Sequence, residues 1–310
     1  MPPDITISHL IPLYRSRRFA PVIAANVAEL AAPDAEIILA DRNGDRAFCD
    51  ELRAQLADVP NLRLLCDDSD ANWVDNIQGL IDAARGAYLQ ILPHDDTTTK
   101  AATRAMVAAL NAAPDAVLAY GRVRAFDLSG APLPERDELN ARETSEATSW
   151  TLEDALPLLW VGRFNGAFKG VIRRATAHHP ACRFVATPST ALSERAWLFA
   201  LALQGRFQFV AMDVLHKRYY PDSTHRGWTV TAQTFQEAAE LMKTSIDTAF
   251  ADAQVRAYAL RDITENCAAR MASLEADPAQ PFRYRPAADL AADPAQTSLR
   301  ATPIAWGANH

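Results

Sequence analysis

The stretch Gly86-Ala87-Tyr88-Leu89-Gln90-Ile91-Leu92-Pro93-His94-Asp95-Asp96 is an apolar run that ends at two adjacent carboxylates. Residues 87–92 are too few and too apolar for a surface helix, so they predict a buried central strand of a parallel sheet. Because ligands of open α/β sheets bind at the carboxyl ends of the strands, Asp95 and Asp96 are candidates for a divalent cation that bridges phosphate oxygens. These residues alone are equally compatible with capping of a helix that begins near Thr99.

Strands and helices alternate before this stretch. Hydrophobic periodicity and turn residues predict strands at 5–12, 36–40 and 62–65, and helices at 20–30, 46–56 and 73–84. Pro12 is expected to end the first strand, and Gly86 to stop the third helix. The alternation predicts an α/β fold with a doubly wound, mostly parallel sheet and right-handed crossovers.

The pattern after residue 121 is less regular. It predicts a strand at 122–126, a long polar loop at 131–149 and a short helix at 152–159. An apolar helix at 193–205, strands at 207–210 and 214–215, and amphipathic helices at 229–250 and 253–274 follow. We expect the two amphipathic helices to cover the sheet or to form a homodimer contact. The composition of the tail from Asp277 predicts an extended or partly disordered segment.

Composition excludes several classes of protein. The 310 residues are 49% hydrophobic with a formal net charge of −7, which predicts a globular protein and no nucleic-acid partner. The four cysteines form no CxxC or Cys/His cluster, so we expect neither a zinc site nor a disulfide framework, and a cytoplasmic setting. No run approaches the roughly 20 apolar residues of a membrane span. Neither GxGxxG after a strand nor GxxxxGK[ST] is present, so phosphate must be held in another way.

Several segments, in this order and spacing, resemble family 2 glycosyltransferases, which have the nucleotide-sugar-binding GT-A fold. They are Ile11-Pro12-Leu13-Tyr14, Ile37-Ile38-Leu39-Ala40-Asp41, Asn76 followed by Ala84-Arg85-Gly86-Ala87-Tyr88, Pro93-His94-Asp95-Asp96, and Pro114 to Gly121. The last of these resembles the family's next strand, which implies a strand at 114–121. The resemblance covers residues 5 to about 226. It implies a nucleotide-sugar-binding half at 1–121 and an acceptor-binding half at 122–226 of one domain. A helical extension at 227–275 and an Ala/Pro/Asp-rich tail at 276–310 lie beyond it.

The resemblance also implies site residues. The nucleotide sugar, UDP- or GDP-linked, would contact Pro12, Tyr14, Asp41, Asn76, His94, Asp95 and Asp96. Asp95 and Asp96 would hold Mg²⁺ or Mn²⁺, although Pro93 replaces the first aspartate of the metal-binding motif. An ordinary turn around Asp41 is the alternative to a nucleobase contact there. Lys169, Arg173 and Arg174 are candidates to face phosphate, or they are solvated surface charges.

Glu194 aligns with the family's catalytic base, which removes the acceptor hydroxyl's proton. The alternative for Glu194 is a helix N-terminal acid favoured by the macrodipole. Ser193 replaces the first acid of the family's acidic pair, and Tyr220 takes the histidine position in the closing element that begins at His216. His225 lies close enough in sequence to substitute for that histidine.

The implied activity is a hexosyltransferase of polysaccharide biosynthesis that transfers sugar with inversion to a glycan or lipid-linked acceptor. The setting would be the cytoplasm or the inner face of the membrane, with peripheral attachment. Because Pro93, Ser193 and Tyr220 depart from the family pattern, a non-catalytic protein that binds nucleotide sugar or glycan is the alternative.

Overall fold

The structure is a computed structural model that describes residues 5–137, 151–160, 165–222, 229–280, 282–287 and 299. These residues form a seven-stranded sheet with helices packed on both faces, which is the predicted α/β class. Within these ranges, no helix has the length and hydropathy needed to cross a membrane. The predicted loop at 131–149 lies largely outside the described residues, and His225 lies wholly outside them.

The first part of the chain alternates strands and helices as the sequence predicts. The elements are β1 (Ile7–Leu13), α1 (Ala20–Leu30), β2 (Ala35–Asp41), α2 (Arg46–Gln55), β3 (Leu62–Cys66), α3 (Trp73–Ala83), β4 (Tyr88–Ile91), α4 (Lys100–Ala112) and β5 (Ala116–Phe126). The hydroxyl of Thr99 accepts the N–H of Ala102 and caps α4, so the cap of this helix is not an aspartate.

The second part of the chain adds two strands and the remaining helices. They are α5 (Leu152–Ala155), β6 (Val171–Arg173), α6 (Arg174–Ala177), α7 (Ser193–Ala202), β7 (Arg206–Arg218), α8 (Ala232–Ala249) and α9 (Ala253–Ala276). Short 3₁₀ helices cover Leu156–Leu159 and Asn165–Lys169. Between the second of them and α6, only Val171–Arg173 joins the sheet.

The spatial order of the strands is β3-β2-β1-β4-β6-β5-β7. β1 pairs in parallel with β2 and β4, β2 with β3, and β5 with β7. β6 lies antiparallel between β4 and β5. The sheet is therefore mixed, and the parallel doubly wound arrangement holds for its first four strands.

Pro12 lies inside β1 and does not end it, contrary to the prediction. It pairs with Ala40 of β2, and the strand continues to Leu13. On the other flank, the paired residues of β4 reach only as far as Leu10. Because that side of β1 has no ladder at Pro12, the missing N–H costs the sheet little.

β5 and β7 are each one long strand where the sequence predicts two. Asp213 in β7 accepts hydrogen bonds from Arg122 at 2.8 Å and from Arg124 at 3.0 Å, both in β5. The two strands run side by side from Ala116 to Phe126 with shifts of register. These three charged side chains are therefore paired across the two strands, and the pairing of β5 with β7 continues past them.

Gly86 acts through close packing rather than as a helix stop. α3 ends at Ala83, and an added Cβ at Gly86 would lie 2.6 Å from the backbone carbon of Ile7 and 2.6 Å from the nitrogen of Ser8. No real Cβ tolerates such a contact with backbone atoms. The glycine therefore lets the chain enter β4 directly against β1.

The C-terminal helices belong to the hydrophobic core on one face of the sheet. Buried residues of α8 and α9 share a core with α3, α5 and α7. Residues 282–287 run extended along α9, where Asp262 accepts the N–H of Ala287 at 3.1 Å and the hydroxyl of Tyr284 at 2.9 Å. The amphipathic helices share this core through α8, which packs on α7 and α9, and a homodimer contact stays a prediction.

Candidate active site

A cavity of about 600 Å³ opens at the carboxyl ends of β1, β4 and β7. The segments after β1 and β4 supply one part of its lining, and the starts of α3 and α7 supply another. Its volume falls in the range of about 300–1,000 Å³ that is typical of small-molecule sites. The location is the one expected for ligands of an open α/β sheet.

The cavity brings together seven of the eight residues predicted to form the site. They come from four separate parts of the chain and are Pro12, Tyr14, Asn76, His94, Asp95, Asp96 and Glu194. Asp41 is buried and does not line the cavity, and its carboxylate accepts the N–H of Asn43 at 2.9 Å. Asn43 lines the cavity instead, so Asp41 shapes the turn that presents its neighbour. The nucleobase contact of Asp41 stays a prediction.

The end of β1 is tied to the segments beside it. A ring nitrogen of His94, Nδ1, lies 3.2 Å from the carbonyl oxygen of Pro12. The amide of Asn76, in α3, donates to the carbonyl of Ala40 at 3.2 Å and reaches that of Leu13 at 3.5 Å. Its Oδ1 is buried without a hydrogen-bond partner among the described residues. Asn76 therefore connects the ends of β1 and β2, and its Oδ1 can accept a hydrogen bond from a ligand.

The two adjacent aspartates have different environments. Asp95 accepts the hydroxyl of Tyr220 through Oδ2 at 2.7 Å. Asp96 is 2% exposed and accepts the main-chain N–H of Arg218 at 3.0 Å. Burial, and then the charge of Asp95, raises the pKa of Asp96 to about 8, against the pull of Lys169 and Lys217. Asp96 therefore holds a proton more readily than an exposed aspartate does.

The turn before α7 is held in an uncommon backbone conformation. Thr190 and Leu192 both have positive φ, at 60° and 61°, which costs free energy in residues other than glycine. The hydroxyl of Ser193 is buried, accepts the N–H of Thr187 at 3.0 Å and donates to the carbonyl of Thr190 at 3.0 Å. Ser193 thus fixes the turn, and Glu194 is the residue that lines the cavity.

Glu194 is desolvated in the cavity wall. Its Oε2 is buried without a hydrogen-bond partner in the described part of the chain. Burial raises the pKa of Glu194, while the positive charges of Arg195, Lys169 and Lys217 oppose the rise. A carboxylate with this combination is a stronger base than an exposed one and still has nearby cations that favour its ionised form.

The cavity contains basic side chains that sequence reasoning largely missed. Lys169, Arg195, Lys217 and Arg218 line it, and Lys169 is only 7% exposed. Lys169 was one of three predicted candidates to face phosphate. The other two do not line the cavity, and Arg173 donates to the carbonyl of Leu110 at the end of α4. Lys217 and Arg218 directly precede the Tyr219-Tyr220-Pro221 segment, which was the available signal.

Comparison with known proteins establishes the fold. No family model and no curated protein sequence matches the chain. The structure of residues 1-349 of TarS from S. aureus in complex with UDP-GlcNAc aligns with a TM-score of 0.65 and 12% identity, over 88% of this chain and 76% of that one. The same part of TarS in complex with UDP aligns with a TM-score of 0.60 and 12% identity, over 88% and 75%.

A longer TarS structure aligns with a TM-score of 0.56 and 14% identity, over 85% of this chain and 43% of that one. These neighbours are glycosyltransferases of the GT-A type. This chain has the GT-A fold. The likeness at such low identity supports the fold, and membership of family 2 specifically stays a prediction.

The Mg²⁺ or Mn²⁺ ion implied by the resemblance also stays a prediction, and the donor set fits it poorly. Among the described residues, no group of three or more His, Cys, Asp or Glu side chains is arranged to hold a metal ion. Asp95 already accepts the Tyr220 hydroxyl, Asp96 is buried, and Pro93 offers no side-chain donor.

Proposed function

We propose that the chain is a glycosyltransferase that binds a nucleotide-diphosphate sugar in this cavity and transfers the sugar to an acceptor hydroxyl. The observation that carries the proposal is the convergence of Glu194 with the segment after β4, His94 to Asp96, in one cavity at the strand carboxyl ends. The GT-A fold supports it as an analogy, since fold alone does not define function.

The nucleoside part of the donor would lie against the ends of β1 and α3. Tyr14, 40% exposed, offers a ring for stacking, and Asn43 and Asn76 offer polar atoms. The diphosphate would follow toward His94 and Asp95. This orientation leaves the sugar near Glu194, which lines the same cavity from α7. The structures of TarS bind UDP-GlcNAc and UDP, so UDP is the first nucleotide to test.

The reaction is a direct displacement with inversion. The acceptor oxygen attacks the anomeric carbon, the bond from that carbon to the phosphate oxygen breaks, and the nucleotide diphosphate leaves with the electron pair. Glu194 takes the proton of the acceptor hydroxyl. Its raised pKa makes it an effective base, provided that the pH lies high enough for ionisation. We propose a hexosyl donor and a glycan or lipid-linked acceptor.

The experiment is a screen of UDP- and GDP-sugars for release of nucleotide diphosphate, with thermal unfolding as the readout of binding. A ligand that binds only the folded state raises the apparent stability. Turnover that depends on Glu194 supports the proposal. The absence of both stabilisation and turnover with every donor would remove it.

A non-catalytic nucleotide-sugar or glycan-binding protein is the second candidate. Two contacts favour it. The hydroxyl of Ser193 is hydrogen-bonded within the turn before α7, and the hydroxyl of Tyr220 donates to the carboxylate of Asp95. The same screen separates the two functions. Stabilisation by a nucleotide sugar without donor hydrolysis or transfer would support the binding protein.

A further inference from the structure

We propose that this cavity binds the diphosphate of its donor through Lys169, Lys217 and Arg218, without a divalent cation. The inference rests on the proposed function and specifies how the charge of the leaving group is neutralised. It concerns side chains that lie beside the predicted metal-binding residues. The structure supports it through the position of the cations, the engagement of the carboxylates and the chemistry of the leaving group.

The three cations come from two elements that meet at the cavity. Lys169 is the last residue of the 3₁₀ helix Asn165–Lys169, and Lys217 and Arg218 are the last residues of β7. All three line the cavity, and Lys169 is 7% exposed. A lysine is rarely buried to this extent unless anionic groups compensate for its lost hydration. The fold therefore places these three cations in the cavity wall, where they are not ordinary solvated surface charges.

The ammonium groups act on both key parts of the site. Lys169 and Lys217 each interact electrostatically with Asp96 after β4, and each also interacts with Glu194 at the start of α7. A phosphate placed between the strand end and the base would be close to both lysines. Arg218 lines the same cavity, and its guanidinium donates to the carbonyl of Asp95 at 2.5 Å.

The carboxylates that would bind a metal ion already accept hydrogen bonds from the protein. Asp95 accepts the Tyr220 hydroxyl at 2.7 Å, and Asp96 accepts the N–H of Arg218 from a position 2% exposed. Pro93 contributes no side-chain oxygen. A hard divalent cation prefers several oxygen ligands, and neighbouring ammonium groups would repel it. The same ammonium groups would attract phosphate.

The chemistry of the leaving group suits this arrangement. When the bond between the anomeric carbon and the phosphate oxygen breaks, the electron pair stays on that oxygen and the diphosphate gains negative charge. Ammonium and guanidinium groups fixed in the cavity stabilise this charge without giving up a proton. Arginine can also bind two phosphate oxygens at once. The balance of the transfer reaction needs no additional reactant.

The test is a calorimetric titration of the full chain with UDP and with GDP, once in EDTA and once in Mn²⁺. Lys217→Met removes a partly exposed cation, Lys217→Arg keeps the charge, and Lys169→Met removes the buried one. Lys243→Met on α8 is the matched control, because Lys243 lies outside the cavity and pairs with Glu240. Thermal unfolding without ligand establishes that each variant is folded.

We expect one of the nucleotides to bind in EDTA with a Kd within about threefold of that in Mn²⁺. Lys217→Met should weaken this binding roughly tenfold or more, since charge-assisted hydrogen bonds to phosphate are strong. Lys217→Arg should retain most of it, and the Lys243 control should leave it unchanged. Lys169→Met should weaken binding in the same way if the variant folds.

Binding that appears only in Mn²⁺ would overturn the inference and leave the proposed function intact. Binding in EDTA that is equally strong in Lys217→Met and folded Lys169→Met would also overturn it. The absence of binding by both nucleotides under both conditions would instead remove the proposed function, and the inference with it.

Discussion

The hydroxyl of Tyr220 donates a 2.7 Å hydrogen bond to Oδ2 of Asp95, across 125 residues of sequence. The Tyr220 ring packs against Phe19, with 5.4 Å between ring centroids, and Arg18 lies 4.8 Å from its centroid. The contact joins the segment after β7 to the segment after β4. It takes up one oxygen of the carboxylate that is otherwise the better candidate for a metal ligand.

Tyr220→His should introduce a metal ligand beside a released carboxylate. We expect Mn²⁺ to increase UDP affinity by about tenfold in this variant and to have little effect in the native chain, because imidazole and carboxylate together bind Mn²⁺ better than carboxylate alone. The measurement is calorimetry with and without EDTA. Tyr220→Phe is the control, since it also releases Asp95 and supplies no ligand atom. An Mn²⁺ response no larger in the histidine variant than in the phenylalanine variant would contradict this prediction.

Glu194→Gln should lower the transfer rate by about 10²-fold or more and leave donor binding nearly unchanged, because it keeps the size of the side chain and removes the base. Activity in the native chain should rise with pH through the raised pKa of Glu194, since only the ionised carboxylate accepts the proton. Steady-state rates at saturating donor and acceptor test both points. Glu240→Gln, on the exposed side of α8, is the matched control. A near-normal rate in the Glu194 variant would return this residue to the role of a helix N-terminal acid.

His9 should make the protein less stable as the pH falls from about 6.5 to about 4. Burial lowers the pKa of His9 to about 4, against an opposing hydrogen bond with Gln90. Between the two pH values the unfolded chain binds a proton that the folded chain excludes, which favours unfolding by up to about 3 kcal/mol.

His9→Gln should therefore lose less stability over this pH interval than the native chain, whatever its stability at pH 7. Urea unfolding at pH 7 and at pH 4.5 measures the difference. His179→Gln, at an exposed position, should follow the native pH profile. An identical loss of stability in the native chain and in His9→Gln would show that the buried imidazole does not cause the loss of stability at acid pH.

Gly86→Ala should destabilise the fold by about 2 kcal/mol or more, because the added Cβ overlaps backbone atoms of Ile7 and Ser8 that cannot move aside. Gly79→Ala in α3 is the matched control. The three atoms nearest to its Cβ all belong to the flexible end of the Arg42 side chain, whose ion pair with Asp67 is partly exposed, and alanine favours the helix. Urea unfolding compares the two variants, and similar free energies of unfolding would refute the role given to Gly86.

Local pattern was sufficient for the elements of the first half of the chain. The predicted strands and helices before β5 differ from the observed ones by only a few residues, since hydrophobic period, capping residues and turns are local properties. The two carboxylates that follow β4, Asp95 and Asp96, also correctly pointed to the edge of the sheet where the cavity lies.

The sequence by itself determined the α/β class, the alternation of the first strands and helices, and the residue types available at the strand ends. Only the tertiary structure decided the insertion of β6 between β4 and β5 and the contact of Tyr220 with Asp95. It also placed both Lys169 and Lys217 in the cavity wall and left Asp41 out of it. The reason is that period and turn chemistry act over a few residues, whereas these contacts join distant segments whose approach depends on strand order and burial.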